Sequence, residues 1–321
     1  MLKYAGKRLI TALFTVFFSF MLTFFLMRFS PGNPIRMLAG KENPNPEQIQ
    51  YLTEKYGLDQ PYITQFFLYI KNTMSGDFGV AYRSNEPALK LIGERVSPTL
   101  ILTLTASILS VLAGTLLGLF CGRRIDSLID RLLCKISYII DALPVFWLAM
   151  VLVLIFAVRL RLFPTSGMRN LREDYTGFRS LLDLIHHLFL PVLTIVIVQT
   201  PIYFRIARVS VMQVLNEKFI LTFRAAGLSE RKIFNKYVLK SSVIPVVTAF
   251  GLSLAFLISG AALIEIVFAW PGMGRLILDS VSGREYQVLT AIYLLISISV
   301  AVFGILTDIL YALIDPRIRL R

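Results

Sequence analysis

The sequence predicts an all-α membrane protein with about six transmembrane helices, and three observations carry that prediction. The chain of 321 residues is 56% hydrophobic, against roughly 45–50% apolar residues in an ordinary soluble domain. The excess is gathered into long runs that are almost free of charge. Those runs are separated by polar segments whose basic content alternates along the chain.

The runs are residues 9–27, 99–122, 136–158, 188–204, 241–264 and 288–307, and Asp141 is the one charge inside them. About 18 or more apolar residues cross a hydrocarbon core of about 30 Å as a helix. Inside lipid only helices and closed barrels satisfy every backbone hydrogen bond, and these runs are too long and too uniformly apolar for barrel strands. The fourth run is the shortest, contains Pro191 and Pro201, and leads into Arg205 and Arg208. The first run follows Lys3, Lys7 and Arg8. Its length and the lack of an A-x-A-like site after it favour an uncleaved first span over a signal peptide.

A net charge of +13, from 33 basic and 20 acidic side chains, would suggest nucleic acid in a soluble protein. Here it follows the bias of membrane proteins towards basic cytoplasmic segments. With the N-terminus inside, Lys and Arg are about twice as dense in residues 1–8, 121–135, 205–242 and 314–321 as in the alternate segments. Both termini are therefore expected in the cytoplasm. Cys121 and Cys134 then face a reducing compartment, where no disulfide is expected. His186 and His187 are adjacent, which is not a helical ligand spacing, and they read as an interfacial pair before the fourth span. No metal site and no nucleophile–base constellation is expected.

The chain divides into residues 1–98, a first span plus an extracytoplasmic helical segment, and residues 99–321, a five-helix core. In the outer segment, Asn45, Pro46 and Glu47 read as a helix start and Gly57 as its stop. A second helix is expected from near Pro61 to Gly76, with Phe66, Phe67, Tyr69 and Ile70 packing on something. The segment suits either an outer docking platform or a cap on the spans. In the second span Gly114, Gly118 and Gly122 form a small-residue stripe that lets another helix approach. The fifth repeats it with Gly251, Ala255 and Ser259. Internal packing is the favoured reading of both, ahead of a subunit contact. Pro144 is expected to kink the third span. Asp141, Glu265 and Asp308 are the charges nearest the membrane interior, and they form no evident relay.

Residues 213–245 form the most informative loop. Asn216 and Glu217 suit a helix start, and Gly227 suits a left-handed stop. Ser229 is placed to cap a second, basic helix over 230–242, which leads to Pro245. A short helix exposing or half-exposing Phe219 and Phe223 fits either a groove on another protein or the lipid headgroups. There is no G-x-x-x-x-G-K-[ST] phosphate loop.

The stretch Ala225–Ala226–Gly227–Leu228–Ser229–Glu230–Arg231, followed by Pro245, resembles the cytoplasmic coupling loop of a known family. These are the inner-membrane permease subunits of binding-protein-dependent ABC importers, in the dipeptide/oligopeptide/nickel branch. The resemblance runs through the whole chain. It includes Ser30–Pro31–Gly32–Asn33–Pro34, Tyr56–Gly57–Leu58–Asp59–Gln60–Pro61, Gly76–Asp77–Phe78–Gly79 and Tyr82–Arg83–Ser84. It continues in Leu162–Phe163–Pro164–Thr165–Ser166–Gly167, Phe268–Ala269–Trp270–Pro271–Gly272–Met273–Gly274–Arg275, and Asp308 to Arg317. Where the wider family's loop opens Glu-Ala-Ala, this chain has Leu221, Thr222 and Phe223. The peptide/nickel branch commonly lacks that glutamate.

The resemblance implies the type I ABC importer transmembrane fold and half of a translocation path for peptides or nickel chelates. It implies a non-enzymatic subunit paired with a second, related permease, two ATPase subunits and an extracytoplasmic binding protein, with ATP and magnesium bound on the ATPases and no cofactor on this chain. Coupling is assigned to Glu217, Phe219, Thr222, Phe223, Arg224, Ala225, Ala226, Gly227 and Leu228. The path or its gate is assigned to Glu265, Trp270, Pro271, Gly272, Met273, Gly274 and Arg275, with residues 270–275 expected as a short outer loop dipping towards the path. An ion-coupled carrier would show inverted repeats with broken helices, and no repeat is visible. A membrane-embedded enzyme or assembly protein is the other alternative.

Overall fold

The computed structural model describes residues 2–29, 46–47, 50, 53–54, 57, 59–81, 83–170, 173 and 175–314. The Ser30–Pro31–Gly32–Asn33–Pro34 motif, most of the helix expected between Asn45 and Gly57, Tyr56, Leu58, Tyr82 and residues 315–321 lie outside that range, as does the side chain of Asp308.

The described chain is almost entirely helical. In order it forms α1 (Leu2–Phe29), α2 (Tyr62–Met74), α3 (Ala88–Arg123), α4 (Leu128–Asp141) and α5 (Val145–Arg159). These are followed by α6 (Phe178–Leu215), α7 (Lys218–Ala225), α8 (Glu230–Leu254), α9 (Ala262–Val267), α10 (Met273–Gly283) and α11 (Tyr286–Ile314). Helices α3, α6, α8 and α11 are each long and apolar enough to cross a membrane. Helix α1 has 28 residues and exposes Ile10, Leu13, Phe14 and Phe17, as a lipid-facing helix would.

The third crossing begins later than its hydropathy suggests. Helices α4 and α5 meet at a bend of 102°, so residues 136–158 are not one span. Pro144 is the N-cap of α5, where its ring and missing N–H end α4 instead of kinking a continuous rod. The far end of α5 reaches His186 of α6, whose Nε2 lies 2.8 Å from the Leu162 carbonyl oxygen. The near end meets Arg205, whose guanidinium pairs with Asp141. Between these two contacts α6 rises about 28 Å at 1.5 Å per residue, close to a hydrocarbon thickness of about 30 Å. Helix α5 and the residues up to Leu162 run along that length of α6, and α4 turns away from it.

The marginal fourth run turns out to be the core of the longest helix, α6, with 38 residues and both Pro191 and Pro201 inside it. Neighbouring helices tolerate such prolines in membranes by re-satisfying the freed backbone groups. Arg205 and Arg208, expected in a loop, belong to this helix, and so do His186 and His187. The fifth span is shorter than its run. After Leu254 the chain breaks through a single 3₁₀ turn, Leu257–Ser259, and Gly260 at φ 74° before α9 begins.

Helices α3 and α6 form the central pair, and the glycine stripe explains their approach. A Cβ on Gly114 would lie 2.7 Å from the Thr200 carbonyl oxygen, and one on Gly118 would lie 2.5 Å from that of Phe204. One on Gly122 would meet Val211 Cβ at 2.7 Å. The internal-packing reading therefore holds. In α8 only Gly251 continues the idea, since the helix ends at Leu254, before Ala255 and Ser259; Gly251 faces Thr307, whose Oγ1 donates to the Gly251 carbonyl oxygen at 3.0 Å.

Helix α2 packs against α1 and α11. Phe66 is buried among Phe20, Phe24 and Leu294, and Tyr69 stacks on Phe20 at 5.1 Å between centroids. Phe67 points outward, so the expected apolar set is only partly a packing set. The boundary drawn at residue 98 falls inside the continuous helix α3.

Candidate functional site

Helix α7 stands between two breaks, as the loop pattern predicts. Glu217 occupies the N-cap position without a side-chain cap bond. At the other end Gly227 adopts φ 77°. The Gly227 N–H donates to the Arg224 carbonyl oxygen at 3.0 Å, and the Leu228 N–H donates to that of Phe223 at 3.1 Å. This is the Schellman pair of bonds, which needs a left-handed residue between them. A Cβ at Gly227 would meet nothing within 4 Å, so conformation, and not space, calls for glycine. Ser229 stands at the N-cap of α8, but its side chain makes no cap bond.

The helix is anchored on one side and free on the other. Ile220 is fully buried with Val211, Ile233 and Val238, and Leu228 and Phe223 pack against that cluster. Phe223 lies 4.2 Å from the Tyr237 ring, which makes it a packing residue more than a plug. Phe219 is half exposed and touches Phe223 edge-on. Leu221, Thr222, Ala225 and Ala226 face outward. Arg224 reaches across the turn to Glu230, Nε to Oε1 at 2.7 Å and the terminal nitrogen to Oε2 at 3.2 Å. An exposed pair adds little stability, but two parallel bonds fix the angle between α7 and α8.

The second predicted group, around Glu265, forms a knot at the other end of α3. Glu265 is fully buried. Its carboxylate accepts from Thr99 Oγ1 at 2.8 Å and from the Arg275 N–H at 3.0 Å. Thr99 Oγ1 in turn accepts from the Met273 N–H at 2.7 Å. Trp270 donates its indole N–H to the Pro98 carbonyl oxygen at 2.9 Å. Glycines leave room for the carboxylate: a Cβ on Gly272 would lie 2.3 Å from Glu265 Cδ. Gly274 crosses Ala262 so closely that its Cβ would lie 2.6 Å from the Ala262 Cα.

Of residues 270–275 only 270–272 form the short loop the sequence suggested. Helix α10 starts at Met273, and Trp270, Gly272, Met273 and Gly274 are buried within this chain. Pro271 and Arg275 alone among them are half exposed. A buried acid with several donors holds its own surroundings together, which a hydropathy profile cannot register. Two other motif pieces join the knot from afar. The Gly167 N–H donates to the Phe268 carbonyl oxygen at 2.8 Å. The Gly76–Asp77–Phe78–Gly79 turn docks where α10 meets α11, with the Val80 N–H donating to Gln287 Oε1 at 2.7 Å and the Arg83 N–H to Glu285 Oε1 at 2.8 Å.

A third arrangement was missed in the sequence. Asp130 of α4 is buried and accepts from Arg208 Nε and its terminal nitrogen at 2.6 and 2.8 Å. Arg205 donates to Ser137 Oγ at 2.7 Å and pairs with Asp141. The signal that could have found it is the spacing of Asp130, Ser137 and Asp141, which places all three on one helical face. Cys121 and Cys134 lie nearby as free thiols. His187 Nδ1 is 2.9 Å from the Asp183 carbonyl oxygen, and among the described residues no group of three or more His, Cys, Asp or Glu could hold a metal ion.

This fold, with four helices each long and apolar enough to cross a membrane, is that of a multi-pass membrane protein. Residues 114–320 match the family described as the inner membrane component of binding-protein-dependent transport systems, and residues 1–103 match its N-terminal part. The chain belongs to that family, and the ABC importer permease resemblance read from its motifs is borne out. It is 37% identical over 319 residues to the glutathione transport system permease protein GsiC of Escherichia coli K12, covering 99% of each chain. It is 34% identical over 298 residues to the oligopeptide transport system permease protein AppB of Bacillus subtilis, covering 92% of this chain and 93% of that one.

Proposed function

We propose that this chain forms half of the translocation path of an ATP-driven importer for small peptides, glutathione-like peptides included. The relatives named for oligopeptide and glutathione transport support peptides over the nickel chelates that the motif resemblance also allowed. The path is completed by a second, related permease. Two ATPase subunits, which bind ATP and magnesium, supply energy, and an extracytoplasmic binding protein delivers the substrate. Both termini and α7 face the cytoplasm in this reading, in line with the density of basic residues.

The observation that carries the proposal is the two-sided character of α7. Ile220 and Phe223 root the helix in the fold, while Leu221, Thr222, Ala225 and Ala226 offer small and apolar side chains outward. A short helix presented this way suits a groove on a partner, and its rigid root transmits the partner's movement to α6 and α8. ATP binding then closes the ATPases and turns the permease pair from inward-open to outward-open, and hydrolysis resets it. A ligand moves such an equilibrium only through different contacts in the two states, so α7 must dock differently in each. The Glu265 knot serves as the outer gate, with Pro271 and Arg275 on its surface.

The test is crosslinking in the reconstituted complex. A cysteine at Ala226, in a background with Cys121→Ala and Cys134→Ala, is expected to crosslink to an ATPase subunit with a yield that changes between nucleotide-free and ATP-trapped states. Absence of any crosslink from Ala226 and Ala225 alike, in a complex that imports peptide, would reject the docking assignment. Import of nickel but not of di- or oligopeptides by the same vesicles would reject the substrate class.

A further inference from the structure

Helix α4 has three chemically distinct faces. Asp130, Ser137 and Asp141 turn towards Arg205 and Arg208 of α6. Opposite them, Leu128, Leu132, Ile136 and Ile139 are exposed, Leu128 to 84% and Ile139 to 61%. Between these sectors Arg131 and Lys135 stand one turn apart with Tyr138 on the same flank, all three exposed. Neither Arg131 nor Lys135 has an acidic partner among the described residues. A helix docked on a water-soluble surface would turn its apolar face to the protein; α4 turns its carboxylates to the protein and its apolar face outward.

Its direction is fixed twice over. It meets α5, which crosses the membrane, at 102°. Its latch gives the same answer. Asp130 and Asp141 are separated by about 16 Å along α4, yet their partners Arg208 and Arg205 are separated by only about 4–5 Å along α6 at 1.5 Å per residue. A helix parallel to α6 would need partners equally far apart. Helix α4 thus runs across the end of the membrane-crossing helices, at the depth where α5 enters through Pro144, beside the turn of α6 that leads to α7.

We propose that α4 is a membrane-surface helix, lying in the plane of the leaflet that adjoins α7. In this arrangement Leu128, Leu132, Ile136 and Ile139 sit among acyl chains, and Arg131 and Lys135 sit on the headgroups of anionic phospholipids. An apolar sector flanked by basic residues and a tyrosine is the composition that binds an anionic bilayer surface. The apolar sector is continuous with the lipid-facing side of α5, which exposes Phe146, Trp147 and Met150 immediately after the bend. The two Arg–Asp pairs hold the helix to the fold without using its membrane-facing sector.

The test uses the full-length chain in nanodiscs of phosphatidylcholine containing phosphatidylglycerol. Nitroxide labels are placed singly at Leu132, Ile139, Arg131 and Lys135, with Cys121→Ala and Cys134→Ala. Labels at Leu132 and Ile139 are expected to collide severalfold more with oxygen than with a water-soluble nickel chelate, and labels at Arg131 and Lys135 to show the opposite order. Chelate-dominated collisions at Leu132 and Ile139 would overturn the proposal, and so would shielding from both reagents, which would mark a protein seat. For the headgroup contact, native mass spectrometry of Arg131→Gln/Lys135→Gln is expected to show the preference for phosphatidylglycerol reduced by about fivefold per residue removed, equivalent to about 1 kcal/mol each. An unchanged preference would overturn the anionic-lipid half of the assignment.

Discussion

The Leu228 N–H donates to the Phe223 carbonyl oxygen at 3.1 Å, and that bond closes only because Gly227 between them stands at φ 77°. It ties the end of α7 to the start of α8, so the exposed face of α7 has a fixed orientation relative to a membrane-crossing helix. The relationship makes Gly227 the most informative single position for testing the proposed coupling.

Left-handed backbone costs a non-glycine residue about 1–2 kcal/mol, with asparagine the best tolerated and β-branched residues the worst. Gly227→Asn is therefore expected to import peptide nearly as well as the parent in reconstituted vesicles. Gly227→Val should insert normally, keep ATP hydrolysis by its partners and lose import. Since a Cβ meets nothing there, a fully active valine variant would mean that the turn's shape does not matter for coupling.

The central α3–α6 crossing should be far more sensitive to added bulk than a glycine in open space such as Gly304. Gly118→Ala puts a methyl 2.5 Å from the Phe204 carbonyl oxygen, an overpacking that costs about 1–3 kcal/mol. Gly304→Ala, where nothing lies within 4 Å, should leave the melting temperature in detergent unchanged. Equal melting temperatures for the two variants would contradict the close approach of these helices.

The Glu265 knot predicts an ordering of three variants. Glu265→Gln keeps the shape and an acceptor oxygen and should be the mildest. Glu265→Ala strands the Arg275 N–H and the Thr99 hydroxyl, at about 1–3 kcal/mol for each buried group left unsatisfied. Gly272→Ala has no room beside the carboxylate and should be at least as damaging. Size-exclusion profiles and thermal unfolding of the purified variants measure this order. A Gly274→Cys probe is unsuited to reporting access from outside, because its Cβ would overlap Ala262.

The latch between Arg208 and Asp130 should behave as a coupled pair. Removing one partner leaves a buried charge uncompensated, at about 3–5 kcal/mol, so Arg208→Gln and Asp130→Asn should each lower the unfolding temperature. The double variant should be less damaging than the two losses added together, which a double-mutant cycle reads directly. The hydrogen bonds from Arg208 hold the Asp130 carboxyl below its ordinary value. A depressed carboxylate contributes stability that is present above its unfolded value of about 4 and is lost as the pH falls through the folded one. The cost of Asp130→Asn should accordingly be undiminished from neutral pH down to about pH 5 and shrink below pH 4.

Much of the α7 loop was legible in the sequence: Gly227 makes the left-handed stop, and Glu217 and Ser229 stand at the expected N-cap positions although neither side chain makes a cap bond. The glycine stripe of α3 was legible too, because four-residue spacing already defines a helix face. The Glu265 knot was not. Its members were named, but the burial of Trp270 and Met273 was not foreseen, because nothing along the chain reveals that Pro98 and Thr99 would come to meet them.

By itself the sequence determined that this is an all-α membrane protein, that residues 9–27, 99–122, 188–204 and 288–307 each lie within a single helix, and which family it belongs to. Apolar runs and breaker residues act over a few neighbouring positions and can be read in order. The tertiary structure decided the direction of α4, the start of the third crossing and the burial of Glu265. Those outcomes depend on charges and donors brought together from distant positions, as Arg205 and Arg208 are brought to Asp141 and Asp130. A hydropathy sum counts such residues as polar one by one. Paired through space they hold residues 136–141, the start of a stretch that looked like one span, in a helix that bends sharply away from the rest.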